Sequence, residues 1–137
     1  MKIKNIIIGK IKKDSFLLEK LSEIVKENKI NCGIILGIGA IQNLNFGFYN
    51  QEKHEYKTIT INKPLEVLNL TGNISIKENS PFVHCHITCA DEDGKVYGGH
   101  LFEGTKVFAF EYKIFEVEGK FLIRNFDNLT GLFLWER

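Results

Sequence analysis

Only one stretch of this chain carries a helical period, and almost everything after it reads as strand. Across residues 15–28, Phe16, Leu17, Leu21, Ile24 and Val25 fall on a single stripe. Asp14 or Ser15 suits the N-cap, and Asn28 and Asn31 suit the helix exit. From Gly33 onward the chain breaks into runs of alternating or apolar residues separated by turn signals. These runs are 34–36, 41–49, 54–61, 65–76, 83–90, 95–101, 107–117 and 121–126. Residues 2–10, built on Ile3, Ile6, Ile7 and Ile8, make a further strand before the helix. Gly37-Ile38-Gly39-Ala40 is expected to stop the 34–36 strand, and Gly72 to mark a bulge. The pattern predicts an α+β fold: a mainly antiparallel β-sheet with one amphipathic helix.

One helix covers one face of a sheet. The run 107–117 is apolar or aromatic on both of its faces, with Phe108, Phe110, Tyr112 and Ile114 on one and Val107, Ala109 and Phe115 on the other. A subunit interface is the expected cover for the second face, and a sheet curled on itself is the alternative. The 137 residues are expected to form a single domain, 1–137, with a core of its own. No apolar run approaches the ~20 residues that span a bilayer, and the start lacks a signal-peptide pattern. The expectation is a cytoplasmic protein with no membrane partner. Cys32, Cys85 and Cys89 contain no Cys-x-x-Cys pair and read as buried small hydrophobes in a reducing compartment.

Charge bears on nucleic acid. Basic and acidic residues number 18 and 17, and the only arginines are Arg124 and Arg137. A dedicated DNA-binding face usually shows a clustered basic excess. Here the densest patch, Lys10, Lys12 and Lys13, is followed at once by Asp14 and then Glu19. Composition alone does not ask for a polyanion.

Chemistry concentrates in residues 81–101, which hold three of the four histidines. In a strand, His84 and His86 share a face about 6.5–7 Å apart, and two such imidazoles can meet one ion at roughly 2.0–2.1 Å each. Val83, Cys85, Ile87 and Cys89 fall on the opposite, apolar face. Register decides whether His100 joins them. A two-residue Asp93-Gly94 turn sets Leu101 opposite His86 and turns His100 away. One extra residue, in the loop or bulged at Gly98-Gly99, sets His100 opposite His86. Three imidazoles with an open fourth position resemble a catalytic zinc centre. The competing reading is a polar cluster hydrogen-bonded at a subunit interface. Glu66 and Glu111 interrupt apolar strands and are candidate catalytic acids, able to orient an imidazole, act as a base or pair with a lysine. His54, beside Glu52 and Glu55 near a turn, is expected to be exposed.

Several motifs together resemble the PPC domain, the plant and prokaryote conserved domain. They are Thr71-Gly72-Asn73-Ile74, His84-x-His86, Asp93-Gly94-x-Val96 and Gly98-Gly99-His100-Leu101. The likeness extends to Gly37-Ile38-Gly39-Ala40, Tyr56, Pro64-Leu65-Glu66, Leu68 and Glu111, nearly the whole chain. The resemblance implies a single-helix antiparallel sheet assembling as a homotrimer. It also implies a divalent metal, zinc in some prokaryotic members, on His84, His86 and His100. Plant relatives are nuclear proteins that contact DNA through a separate AT-hook, while their PPC domain serves trimerisation and partner binding. No AT-hook occurs in these residues.

Three functions follow as expectations. The first is a stand-alone homotrimeric assembly module, DNA-associated or protein-binding and regulatory, with a three-histidine metal site. The second is a zinc-dependent enzyme acting on a small molecule, of hydrolytic or lyase type, at a subunit-interface site. The third is a sensor or structural trimer braced by the metal.

Overall fold

The computed structural model describes residues 1–136, which form ten strands and one helix. In chain order these are β1 (Lys2–Ile11), α1 (Leu17–Glu27), β2 (Gly33–Ile41), β3 (Leu44–Asn50), β4 (Glu55–Ile61) and β5 (Leu65–Lys77). There follow β6 (Ser80–Ala90), β7 (Val96–Leu101), β8 (Val107–Glu118), β9 (Ile123–Asp127) and β10 (Leu132–Trp135). Eight strands lie in the order β1-β8-β2-β5-β6-β7-β3-β4, every neighbouring pair antiparallel. The expected α+β class is what forms.

The end of β5 is a branch point. Its pairing with β2 stops at Ile74, and β9 takes up the vacated edge in parallel at Ile76 and Lys77. β10 then folds back on β9 as a hairpin. The β9 strand was legible in the sequence, whereas β10 and the parallel docking were not.

The helix buries Leu17, Leu21, Ile24 and Val25 and lies over β6. Beneath it, Val83, Cys85, Ile87 and Cys89 line the inner face of β6, as their alternation predicts. All three cysteines are free and buried. The helix start differs from expectation. Its N-cap is Phe16, which makes no side-chain cap, and neither Asp14 nor Ser15 takes that role. Backbone bonds replace the cap: Leu17 N–H donates to Thr105 O at 2.8 Å, and Val107 N–H donates to Ser15 O at 2.9 Å. The chain before β8 therefore satisfies one of the free N–H groups of the first turn and pins the residue that precedes the N-cap.

Three glycine and bulge expectations also change. β2 runs unbroken through Gly37-Ile38-Gly39-Ala40, and Gly37 makes room for Phe110, whose Cζ would lie 2.4 Å from a Cβ there. The bulge in β5 lies between Val67 and Asn69, not at Gly72. Gly72 is needed instead for close approach, since a Cβ there would lie 2.6 Å from the His84 carbonyl oxygen. A register shift between β2 and β8 at Ala40/Ile41 turns Val107 and Phe110 inward together and leaves Phe108 outside. Phe108 therefore does not share the face of Phe110, Tyr112 and Ile114.

Cross-strand partners share a face, so the register reads directly as rows on the outer side of the sheet. One row is Ile6, Phe115, Ile34, Asn73, His84. The next is Ile8, Lys113, Leu36, Thr71, His86, His100. The outer face is thus apolar at one end and histidine-bearing at the other. Ile6, Ile8, Ile34, Ile38 and Leu68 are all exposed there in the single chain.

Leu70 sits at 0% exposure in the centre of the inner face. Replacing it with alanine is expected to lower unfolding free energy by about 2–5 kcal/mol, read from the urea midpoint at an unchanged denaturant slope.

Candidate metal centre

The site is made by register. β6 and β7 pair with His86 opposite His100, and the pairing runs without interruption from Ala90/Val96. The extra residue is therefore in the connecting loop, residues 91–95, and not at Gly98-Gly99. Asp91 holds that loop: its carboxylate accepts backbone N–H groups from Asp93 and Lys95 at 2.9 Å each and an ammonium N–H from Lys63 at 2.9 Å. These donors keep the Asp91 carboxyl low, at a pKa of about 2, the Lys63 hydrogen bond contributing most.

The two glycines serve proximity. A Cβ at Gly98 would lie 2.8 Å from Ile87 O, and one at Gly99 would lie 2.6 Å from Gly47 O. They let β7 lie tightly between β6 and β3, which carries His100 up to its partners.

One ring nitrogen from each of His84, His86 and His100 lies within 4.8 Å of the others. The Nε2 atoms of His84 and His86 are 3.3 Å apart. Two ligands of one tetrahedral ion, each about 2.0–2.1 Å from it, are separated by about 3.3–3.4 Å. A hydrogen bond between the two rings would account for the same spacing but would give the converging nitrogen of His100 nothing to do. The donor set is all-imidazole, which suits zinc and its neighbours in the first transition row.

Burial favours the neutral form of two of the three imidazoles. Burial lowers His84 to a pKa of about 4, with smaller contributions from the His100, Arg124 and His86 charges. Burial and then His86 lower His100 to about 4 as well. A ligating imidazole must be unprotonated, so both are ready for an ion well below neutral pH. His100 is further oriented from behind. Its Nδ1 lies 3.5 Å from the Tyr56 hydroxyl, and its ring packs on Tyr56 and Phe102, each centroid 4.8 Å away. A hydroxyl close to one ring nitrogen is the usual kind of support behind a metal-bound histidine.

His84 and His100 also form part of a cleft of about 360 Å³. Tyr49 and Tyr56 stand on one side, and the β9–β10 hairpin, with Leu132, Phe133 and Leu134, on the other. The two sides are tied together by the Tyr49 hydroxyl, which donates to Thr130 O at 2.5 Å. Arg124 and Lys77 line the same space. None of Tyr49, Lys77 or Arg124 was singled out from sequence as a site residue. Arg124 had one signal, being one of only two arginines, but its placement depends on the unforeseen β9 docking.

The other sequence candidates lie elsewhere. Glu66 is exposed and pairs with Ala90, about 13 Å along β6 from His86. Glu111 is exposed opposite Ile38, on the apolar end of the outer face. Neither is buried, and neither belongs to the histidine cluster of this chain. His54 is exposed, as expected, and reaches the rim of the cleft beside Tyr49.

Fold and candidate centre together define a single-helix, mainly antiparallel sheet with three imidazoles grouped on its outer face. Residues 1–118 match the Plants and Prokaryotes Conserved domain, and the chain belongs to that family. It is similar to a metal-containing protein of Archaeoglobus fulgidus at 37% identity and TM-score 0.94, over 99% of this chain and 96% of that one. A plant- and prokaryote-conserved protein of Pyrococcus horikoshii is 34% identical, TM-score 0.94, over 99% and 94% of the two chains. A candidate DNA-binding protein of Bacteroides thetaiotaomicron is 31% identical, TM-score 0.91, with the same coverage. No curated protein matches the chain.

Two outcomes test this geometry. With folded pKa values near 4 against an ordinary value near 6.5, His84 and His100 bind protons more readily unfolded than folded. Their contribution to stability is complete above about pH 6.5, falls as the pH drops toward 4, and is flat below. Chelator-treated protein should show that loss in its melting temperature, and the paired substitution His84→Asn, His100→Asn should remove most of it. Separately, Gly99→Ala should force β7 away from Gly47 O, costing about 1–3 kcal/mol of stability and weakening metal binding in a competition titration against a chromophoric chelator.

Proposed function

We propose that the chain is a homotrimeric assembly module whose histidine site holds one divalent metal per subunit, zinc on the donor set. The observation that carries the reading is the 3.3 Å spacing of the His84 and His86 nitrogens, with His100 converging on them. The description of the archaeal neighbour as metal-containing supports it. When bound, such a metal supplies Lewis-acid polarisation and lowers the pKa of water to about 7. His84, His86 and His100 would hold it, and Tyr56 would orient His100.

Support for self-assembly comes from the outer face. Exposed Ile6, Ile8, Ile34, Ile38 and Leu68 occupy the end that one helix cannot cover. Contiguous exposed apolar surface of this kind marks interfaces, and a closed symmetric assembly is the ordinary way to bury it. The rows run on into the histidines, so the interface would border the metal site.

A DNA-associated regulatory role draws support from two similar proteins described as candidate DNA-binding proteins. The near-zero net charge of this chain makes any such contact modest. The enzyme reading is favoured by one feature, the cleft that opens on the ligands. Neither Glu66 nor Glu111 supplies it with a base from the same chain.

The reading is tested by metal analysis and native mass on untagged protein, for wild type, His86→Ala and Ile38→Glu. Wild type should carry stoichiometric metal at a trimeric mass. His86→Ala should lose the metal, and Ile38→Glu should lower the mass toward a monomer. A metal-free wild type, or metal retained by His86→Ala, would sink the site, and a monomeric wild type would sink the assembly. Mobility shift on duplex DNA across a salt series addresses the nucleic-acid role: retardation that fades with salt supports it, and none removes it.

A further inference from the structure

Arg124 is a half-buried guanidinium with no acid paired to it among the described residues. It is nonetheless held rigidly: Nε donates to the Ser75 hydroxyl at 2.7 Å, Nη1 to Phe133 O at 3.1 Å and Nη2 to Asn73 Oδ1 at 2.9 Å. The Phe82 and Trp135 rings flank it at 5.5 and 5.3 Å. A guanidinium has five N–H donors, so two remain, one on Nη1 and one on Nη2. Burial depresses its pKa, against a smaller opposing contribution from Tyr56. Lys77 is in the same position. Its ammonium rests on the Phe133 and Phe82 rings at 4.2 and 4.9 Å and has no carboxylate partner among the described residues.

Among the described residues, no aspartate or glutamate lines the cleft between these cations and the histidines. Its volume, about 360 Å³, lies at the lower end of the range for small-molecule sites, roughly 300–1,000 Å³. Its walls are aromatic and aliphatic. Two cations without a carboxylate partner among the described residues, apolar walls and the imidazoles of His84 and His100 are complementary to one kind of ligand.

We propose that this cleft binds a small carboxylate with an apolar body. The carboxylate is held by Arg124 with Lys77 beside it, the body packs on Phe82, Phe133 and Leu132, and the far end reaches the histidines. The guanidinium fork favours a planar carboxylate, while the apolar walls disfavour the heavily hydrated phosphate ion. The orientation of Arg124 is fixed before the ligand arrives, so little entropy is lost in forming the pair. The inference rests on the metal-site reading only for what the far end of the ligand touches. The anion anchor belongs to residues outside the metal set.

The test is ligand-observed NMR and calorimetry with a panel of aromatic and branched aliphatic monocarboxylates of about five to ten carbons. The matched neutral amides and inorganic phosphate serve as comparison ligands, on metal-loaded and on chelator-treated protein. Carboxylates should bind about tenfold or more tighter than their amides, the size of a charge-assisted pair, and tighter than phosphate. Arg124→Gln should abolish that preference while metal content stays unchanged. Because Arg124 also ties down the hairpin, Lys77→Gln provides a second variant that removes no hydrogen bond, and it should reduce the preference in the same direction. Binding by no member of the panel, equal binding of acids and amides, a preference for phosphate, or a preference that survives both substitutions would each overturn the proposal. Carboxylate selectivity in protein that never takes up metal would keep the anion site and count against the metal reading alone.

Discussion

The pairing of β6 with β7 in the register that sets His86 against His100 is the constraint on which the rest of this site depends. Side chains alternate across a strand, so a slip of one residue would send His100 to the core and Leu101 to the outer face. The register is protected from both sides. Leu101 is 1% exposed and Ile87 is 2% exposed, so a slip would pull apolar groups from the core as well as scatter the ligands. Asp91 secures the loop, and the Gly98-Gly99 pair lets β7 approach both neighbours. The histidine cluster is thus a by-product of core burial on the opposite side of the same strands.

The outer face divides into two neighbouring territories. Isoleucines from β1 and β2 make an apolar field at one end, while histidines, tyrosines and the β9–β10 hairpin make a polar, aromatic cleft at the other. The boundary is carried by β5, where Asn69, Thr71 and Asn73 alternate outward. Asn73 does double service: it pairs across to His84 and accepts from Arg124. Any packing of copies on the apolar field would therefore act within one or two strands of the ligands.

Local chemistry was the legible part of this chain. The helical stripe, the inward set Val83, Cys85, Ile87 and Cys89, and the outward pair His84 and His86 all follow from periodicity within one element. What alternation could not supply was anything set by a partner strand. The choice between two registers for His100 turned on one residue of loop. The inversion at Phe108 came from a bulge against β2, and the unbroken course of β2 from its pairing with β8 along its whole length, with Gly37 leaving space for Phe110. The helix cap went to backbone carbonyls and amides near Thr105 that no local pattern announces. Arg124 was hidden for the same reason, since its role exists only because a short parallel pairing brings β9 to the end of β5. Glu66 and Glu111 looked anomalous in apolar runs, but those runs have an exposed face in the single chain, and an acid there needs no partner.

The alternation His84-Cys85-His86 has a further consequence. Adjacent residues of one strand carry two quite different kinds of metal donor, yet the pleat sends the imidazoles outward and the sulfur inward. Burial raises the Cys85 thiol to a pKa of about 12 and the Cys89 thiol equally far, so no thiolate forms at neutral pH. The strand behaves as a septum, with nitrogen donors on its wet side and sulfur sealed on its dry side. Soft ions such as copper(I), which would bind a mixed thiolate–imidazole set most avidly, meet only half of the set that the sequence spells out.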